Sequence, residues 1–256
     1  YYSHSLNDSK QAFKNIPFFF YIFFRFKQFI IYQDNCAMKV CTDACLFGAI
    51  IAETILSEKL KANDVLDIGT GTGLLSLMVC QKTNNHIDAV EIEAAAAKQA
   101  AANVEASPFH DKIRVLHQDI LQYQPDKSYD IILSNPPFFE EDLKSPDSKI
   151  NKARHDSSLT LHQLTAKAAA LLSDTGYFAV LLPFHRINYS EKTASENNLF
   201  LTHRFLIKQT PKHPYFRGIL FFSKQATDCK TKEIVIKDEA GLYSDEFLFL
   251  LKDYYL

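Results

Sequence analysis

Asp64-Val-Leu-Asp-Ile-Gly-Thr-Gly-Thr-Gly73, running on into Leu74-Leu-Ser-Leu-Met-Val-Cys-Gln81, is the stretch whose reading decides the fold. Asp64–Ile68 is a short apolar strand, Gly69–Gly73 a glycine turn, and Leu74–Gln81 a helix. Outward from it the same alternation repeats. Ile87–Ile92 reads as a strand, Ala94–Ala106 as an alanine-rich helix, Ile113–His117 and Tyr129–Ser134 as two further strands. Leu159–Leu172 has helical periodicity and Gly176–Leu182 is again a strand. Leu199–Lys208 and Phe216–Lys224 are β-type runs around Pro211 and Pro214, and read as an antiparallel pair. Lys232–Lys237 is open as an extra strand and Tyr243–Tyr254 as a closing helix. Strands alternating with helices predict an α/β chain whose mostly parallel sheet carries helices on both faces.

Composition narrows the classes. The chain has 256 residues, is 47% hydrophobic and 23% charged, and has a formal net charge of −2. That excludes a disordered, collagenous or coiled-coil protein. It also means that a nucleic-acid partner would need a local basic patch. The five cysteines are odd in number and contain no C-x-x-C pair, which reads as reduced intracellular thiols and a cytoplasmic protein. Cys36, Cys41 and Cys45 match no common zinc spacing, so no metal is expected. Residues 1–24 stand apart. They begin without Met and contain the apolar run Ile16–Phe24, which Arg25 and Lys27 stop well short of the roughly 20 residues a membrane span requires. A packing extension or misplaced start is the reading preferred there; a membrane-surface anchor and an export signal stay open.

The glycine turn supplies the first chemistry. Glycines at 69, 71 and 73 permit a tight turn that a ligand can approach closely, at the open N–H groups of a helix. A dinucleotide fingerprint is G-x-G-x-x-G; here the third glycine comes one residue early. Asp67 before the turn suits the ammonium end of S-adenosylmethionine, so the turn Asp67–Gly73, with Thr70, favours a methyl donor. Glu91, about 20 positions on, can accept from both ribose hydroxyls; Glu93 fits a helix-capping acid better. Asp119, within Gln118-Asp-Ile120, is read as an acceptor for the adenine amine, with a plain turn cap left open.

Ser134-Asn-Pro-Pro-Phe-Phe139 is the most specific signal. Pro136 and Pro137 fix two φ angles and remove two donors. They hold the Asn135 side chain and the Pro136 carbonyl as two acceptors facing one point, where an exocyclic NH₂ can donate both hydrogens. Phe138 can stack on a planar base.

In order and spacing, these motifs resemble class I methyltransferases acting on planar amino nitrogens. More narrowly, Phe26-Lys-Gln-Phe29, Cys36-Ala-Met-Lys-Val40, Thr42-Asp43, Gly48-Ala49, Ala89–Ala97, Gln118–Ile120, Asn135–Phe138 and Tyr243-Ser244 resemble the bacterial valine tRNA adenine-37 N6-methyltransferase family. The resemblance covers about residues 25–256. It implies a Rossmann-like fold with a seven-stranded, mostly parallel sheet containing one antiparallel strand. It implies a cofactor-covering segment at 25–60, a core at 61–256, and an extension at 1–24. It also implies cofactor contacts at Lys39, Thr42, Asp43, Ile92 and Ile120 beside Asp67, Gly69, Thr70, Gly71, Gly73, Glu91, Asp119 and Asn135. Cys41 stands where the family has glycine, and Asp43–Phe47 is less rich in Gly and Leu than the family, so the backbone path there is expected to depart from the family's.

The expected substrate surface follows from charge. Lys144–His155 is basic, and 199–225 contains no Asp or Glu. Lys149, Lys152, Arg154, His155, Lys212 and Arg217 are therefore candidate tRNA contacts, against the plainer reading of solvated loops. The expected activity is methyl transfer from S-adenosylmethionine to adenine N6 in tRNA. The same chemistry on ribosomal RNA guanine N2, DNA adenine or a protein glutamine remains the alternative, and a cofactor-binding RNA adaptor without turnover the non-enzymatic one.

Overall fold

A computed structural model describes residues 23–34, 36, 38–137 and 159–256. Its centre is one eight-stranded sheet. The strands are β3 (Asp64–Ile68), β4 (His86–Glu91), β5 (Ile113–His117), β6 (Tyr129–Ser134), β7 (Leu172–Pro183), β8 (Phe200–Lys208), β9 (Tyr215–Ser223) and β10 (Lys230–Val235). Their spatial order is β10-β8-β9-β7-β6-β3-β4-β5. Only β9 runs against its neighbours, pairing antiparallel with β7 and with β8. The expected seven-stranded arrangement is contained in this order, and β10 adds an eighth strand parallel to β8. A separate hairpin, β1 (Phe23–Arg25) and β2 (Ile30–Tyr32), precedes the sheet. β1 straddles the boundary expected between residues 24 and 25.

Helices cover both faces. The strand cores are apolar without alternation because both faces are buried, as parallel sheets require. Successive residues then feed opposite layers. Ile131 and Leu133 join one core and Ile132 the other; Ala179 and Leu181 join the first and Phe178, Val180 and Leu182 the second. The first core holds α1 (Thr42–Ser57), α2 (Leu74–Thr83), α3 (Ala94–Glu105) and the terminal α6 (Asp245–Leu251); the second holds α4 (Leu161–Leu171) and α5 (Ile187–Glu196). The closing helix is shorter than the Tyr243–Tyr254 expected, since Ser244 caps it by accepting from Phe247 N–H at 3.1 Å.

Neither α1 nor α5 announces itself by periodicity. α1 is apolar almost all round because it is buried almost all round. α5 turns Ser190, Thr193 and Ala194 inward beside Ile187, so its inner face does not read as hydrophobic. The Cys41 departure also resolves here. Its backbone is extended (φ −135°, ψ 159°), a conformation open to any residue, so the N-cap of α1 needs no glycine.

Candidate active site

The carboxyl ends of β3, β4, β5 and β6 meet at one edge, and hydrogen bonds tie them there. Gly69 N–H and Thr70 N–H donate to the Val90 carbonyl (2.9 and 3.1 Å), Gln118 N–H donates to the Glu91 carbonyl (2.9 Å), and Ser134 Oγ donates to the Ile68 carbonyl (2.8 Å). Register pairs Ile68 with Ser134, so the glycine loop and Asn135 leave adjacent strands side by side.

Asp67 is fully buried at the base of the loop. Its Oδ2 accepts from Thr70 Oγ1 and Ser76 Oγ, both at 2.7 Å. Its Oδ1 is buried without a hydrogen-bond partner among the described residues. Burial pushes this carboxyl up to about 6 and nearby Glu91 adds to the rise, against the hydrogen bonds from Thr70 and Ser76. Because the folded state holds the proton to higher pH than the unfolded chain, Asp67 stabilises fully below its ordinary pKa of 3.8, and that stability is lost as pH rises through about 6. The difference corresponds to about 3 kcal/mol. Asp67→Asn should therefore gain stability relative to the parent between pH 4 and pH 7 by roughly that amount. Denaturant unfolding of both proteins across that range checks it; parallel curves would disprove the linkage.

The loop above Asp67 is an open cradle. Gly69 and Gly71 have φ of +74° and +58°, and a Cβ on either would meet nothing within 4 Å. Glu91 is buried beside it. Glu91 Oε2 accepts from Gly71 N–H at 2.8 Å and Oε1 from Glu93 N–H at 3.0 Å. Glu93 is the exposed N-cap residue of α3 and makes no side-chain cap. Ile92 between them is 54% exposed.

Other residues expected at the site also serve the fold. Thr70 gives its hydroxyl to Asp67, Gly73 is the left-handed N-cap of α2, and Ile120 packs in the second core. Asp119 caps a turn: its Oδ1 accepts from Leu121 N–H at 2.9 Å and its Oδ2 from the Gln122 amide at 3.3 Å.

Asn135 is 9% exposed, and its Oδ1 is buried without a partner among the described residues. Pro136 and Pro137 follow it out of β6. Phe138, Lys149, Lys152, Arg154 and His155 lie outside the described residues.

The segment before α1 passes alongside the cradle. Burial raises the Cys36 thiol pKa, Glu91 raises it further, and Lys39 opposes. Lys39 donates to the Gln33 carbonyl, while Val40 N–H donates to Gln33 Oε1 at 2.7 Å. Thr42 and Asp43 begin α1. Asp43 Oδ2 accepts from Arg217 Nε at 2.8 Å, which joins a residue expected at the cofactor to one expected at the tRNA. Lys212, highly exposed, lies 3.9 Å from Glu239.

Asn103 escaped sequence reasoning. Its Oδ1 accepts from Tyr32 N–H (3.0 Å), and its Nδ2 donates to the Tyr32 and Thr72 carbonyls (2.8 and 2.9 Å). One amide thus pins the amino-terminal hairpin to the glycine loop. The available signal was its place on the stripe Ala96, Ala100, Asn103 of an otherwise alanine-lined helix face.

Residues 42–196 match the family model described as the methyltransferase small domain. The chain is 40% identical over 234 residues to a tRNA1(Val) (adenine(37)-N6)-methyltransferase of Phocaeicola vulgatus, covering 91% of this chain and 97% of that one. Among solved structures it resembles a protein assigned as an O-methyltransferase from Agrobacterium tumefaciens (TM-score 0.62, 14% identity, 82% of this chain and 96% of that one). It also resembles one assigned as a class I S-adenosylmethionine-dependent methyltransferase from Listeria monocytogenes (TM-score 0.55, 19% identity, 80% and 67%).

The strand order, with an acid-and-glycine loop after β3 and Asn-Pro-Pro after β6, defines a class I methyltransferase of Rossmann-like fold. Within that class, the chain belongs to the tRNA1(Val) (adenine(37)-N6)-methyltransferase family.

S-adenosylmethionine use follows from the family and the fold, and the residues present suit it. The cradle has open space where side chains would stand, a buried carboxylate oxygen without a partner, and a second carboxylate at the end of the next strand. Among the described residues no His, Cys, Asp or Glu cluster of three or more could hold a metal, and no helix is long and apolar enough to cross a membrane.

Proposed function

We propose that this chain methylates the exocyclic N6 of an adenine in tRNA, the adenine at position 37 of valine tRNA, and that it works in the cytoplasm. The observation carrying this reading is the buried, unpartnered Oδ1 of Asn135, one strand from the open glycine cradle. The substrate is that of the relatives, which are tRNA1(Val) (adenine(37)-N6)-methyltransferases.

S-adenosylmethionine, when bound, supplies an electrophilic methyl group. The chain's own residues do the positioning. Asp67 and the open glycine loop would receive the amino-acid end, with Lys39, Thr42 and Asp43 on the covering side. Glu91 already accepts two backbone N–H groups, and a carboxylate has about four acceptor positions. Two remain for ribose hydroxyls. Ile92 lies against the adenine of the cofactor. Asp119 reaches the adenine amine only by sharing oxygens that now cap its turn.

On the substrate side, Asn135 Oδ1 and the Pro136 carbonyl each accept one amine hydrogen. The nitrogen lone pair is then left pointing at the cradle, and Pro137 keeps the fork rigid. Phe138 stacks on the target base. That base must be unpaired or flipped, because pairing hides its amine. The alkylated nitrogen loses its proton readily, so orientation and exclusion of water carry the rate.

Mass spectrometry of nucleosides from valine tRNA treated with enzyme and labelled cofactor tests the reading. Label in N6-methyladenosine is expected. In parallel incubations with ribosomal RNA, DNA and protein, label in N2-methylguanosine, in DNA adenine or in protein glutamine would transfer the same chemistry to another acceptor, and cofactor binding without any label would leave an RNA adaptor.

The tRNA backbone is met by Lys149, Lys152, Arg154 and His155 together with Lys212 and Arg217. Reversing Lys149 and Lys152 to Glu should weaken tRNA binding and shallow the slope of log affinity against log salt by roughly 0.7–0.9 per lost phosphate contact. Cofactor affinity should be unchanged. Titrations at several salt concentrations decide it; a slope equal to the parent's would make this loop a solvated surface.

A further inference from the structure

We infer that Phe184 and Tyr215 form a stacking platform for the unpaired nucleotide next to the target base, an inference that rests on the RNA reading above. The placement comes from sheet register. β6 ends at Ser134, opposite Val180, whereas β7 continues three residues further to Pro183. The turn opening with Phe184 therefore stands just beyond Asn135-Pro-Pro on the adjacent strand. Pro183 in turn faces Arg217, the residue ion-paired to Asp43 at the start of α1. Phe184 is thus continuous with the rim of the site.

The chemistry of the patch is that of a single-stranded nucleic-acid surface. Phe184 is 41% exposed and packs on Tyr215 with ring centroids 5.2 Å apart. Lys208 Nζ lies 4.5 Å from the centre of the Tyr215 ring, and Arg186 stacks on Tyr189 at 4.8 Å. The Tyr215 hydroxyl donates to Glu233, which also pairs with Lys208, so the ring beneath Phe184 is held in place. Exposed aromatic faces with cations beside them serve bases and phosphates together. A protein side chain acceptor would use the Asn135 fork without such a platform. The occupant is therefore RNA: stacking there would hold the target's neighbour while the target base enters the fork.

The test uses the full chain, valine tRNA, and its anticodon stem-loop carrying 2-aminopurine in turn on either side of the target adenine. In the parent protein, binding should quench the probe beyond its free-RNA level at one of the two positions. Phe184→Ala should abolish that quench and raise KM for tRNA about tenfold, with cofactor affinity unchanged. Phe184→Tyr should restore both, which a merely structural role for the ring would not require. If the parent methylates tRNA and Phe184→Ala keeps the quench and the KM, the platform is overturned while the function stands. If the parent does not methylate tRNA, the function fails and the platform with it.

Discussion

Asn135→Ala should lower single-turnover methylation by about 10²-fold or more while leaving the cofactor dissociation constant nearly unchanged, as loss of an aligned transition-state contact does. The asymmetry follows from what Asn135 touches. Its Oδ1 is buried and has no hydrogen-bond partner among the described residues. Removing it breaks no internal hydrogen bond of that oxygen, so the fold and the cradle should survive. The loss falls on the amine, which keeps one acceptor at Pro136 and is free to rotate its lone pair away from the methyl group. Asn135→Asp is the sharper companion. It keeps an acceptor in place, and its charge raises the cost of burial. It should recover part of the rate at low pH, where the carboxyl is neutral. Calorimetric titration with cofactor, followed by quenched single-turnover assays, separates the two effects. A parent-like rate for Asn135→Ala would remove the fork from the mechanism.

Glu91→Ala should do the reverse and weaken S-adenosylmethionine by roughly 1–3 kcal/mol, the range for charge-assisted bonds lost from a buried site. The structure adds a second cause to the first. Glu91 also holds Gly71 N–H and Glu93 N–H, so its removal loosens the turn as well as the ribose contact. Glu91→Gln separates them, because its amide oxygen keeps one backbone bond and loses the charge. If ribose recognition dominates, both variants should bind cofactor poorly. If loop geometry dominates, Gln should retain most of the affinity. Equal affinity of Glu91→Ala and parent would move the ribose to another residue.

Much of this site was legible before any coordinate. The loop Asp67–Gly73, the acid ending the second strand and Asn135-Pro-Pro are local devices: each works through the backbone of its own few residues. Their order along the chain then places them together, because parallel strands bring all their carboxyl ends to one edge. Glu91 and Glu93 were also separable in principle, since one closes a strand and the other opens a helix. Where side chains had to choose between ligand and fold, local reading ran out. Thr70 turned out to serve Asp67, and Asp119 to cap its own turn. α1 stayed hidden because periodicity marks a helix only when one face is wet, and α5 because its buried face carries Ser190 and Thr193.

The basic strip shows the division most clearly. Within residues 199–225 there is no acid, so the strip reads as a free cationic surface. Folded, it is interleaved with acids from elsewhere in the chain. Arg204 pairs with Glu191 of α5, Lys208 with Glu233 of β10, Arg217 with Asp43 of α1, Lys224 with Asp174 of β7, and Lys212 approaches Glu239. The exposed pair of Lys212 and Glu239 is worth little and can give way to phosphate, while the partly buried pairs of Arg204 and Arg217 help set the field that an incoming RNA meets. By itself the sequence determined the sheet, the glycine loop after β3 and the Asn-Pro-Pro turn after β6, because short-range backbone geometry builds all three. Which charges face one another, and that Asn103 pins the amino-terminal hairpin to the glycine loop, was decided only by tertiary structure, because a charge or an amide is satisfied by what stands near it in space and not along the chain.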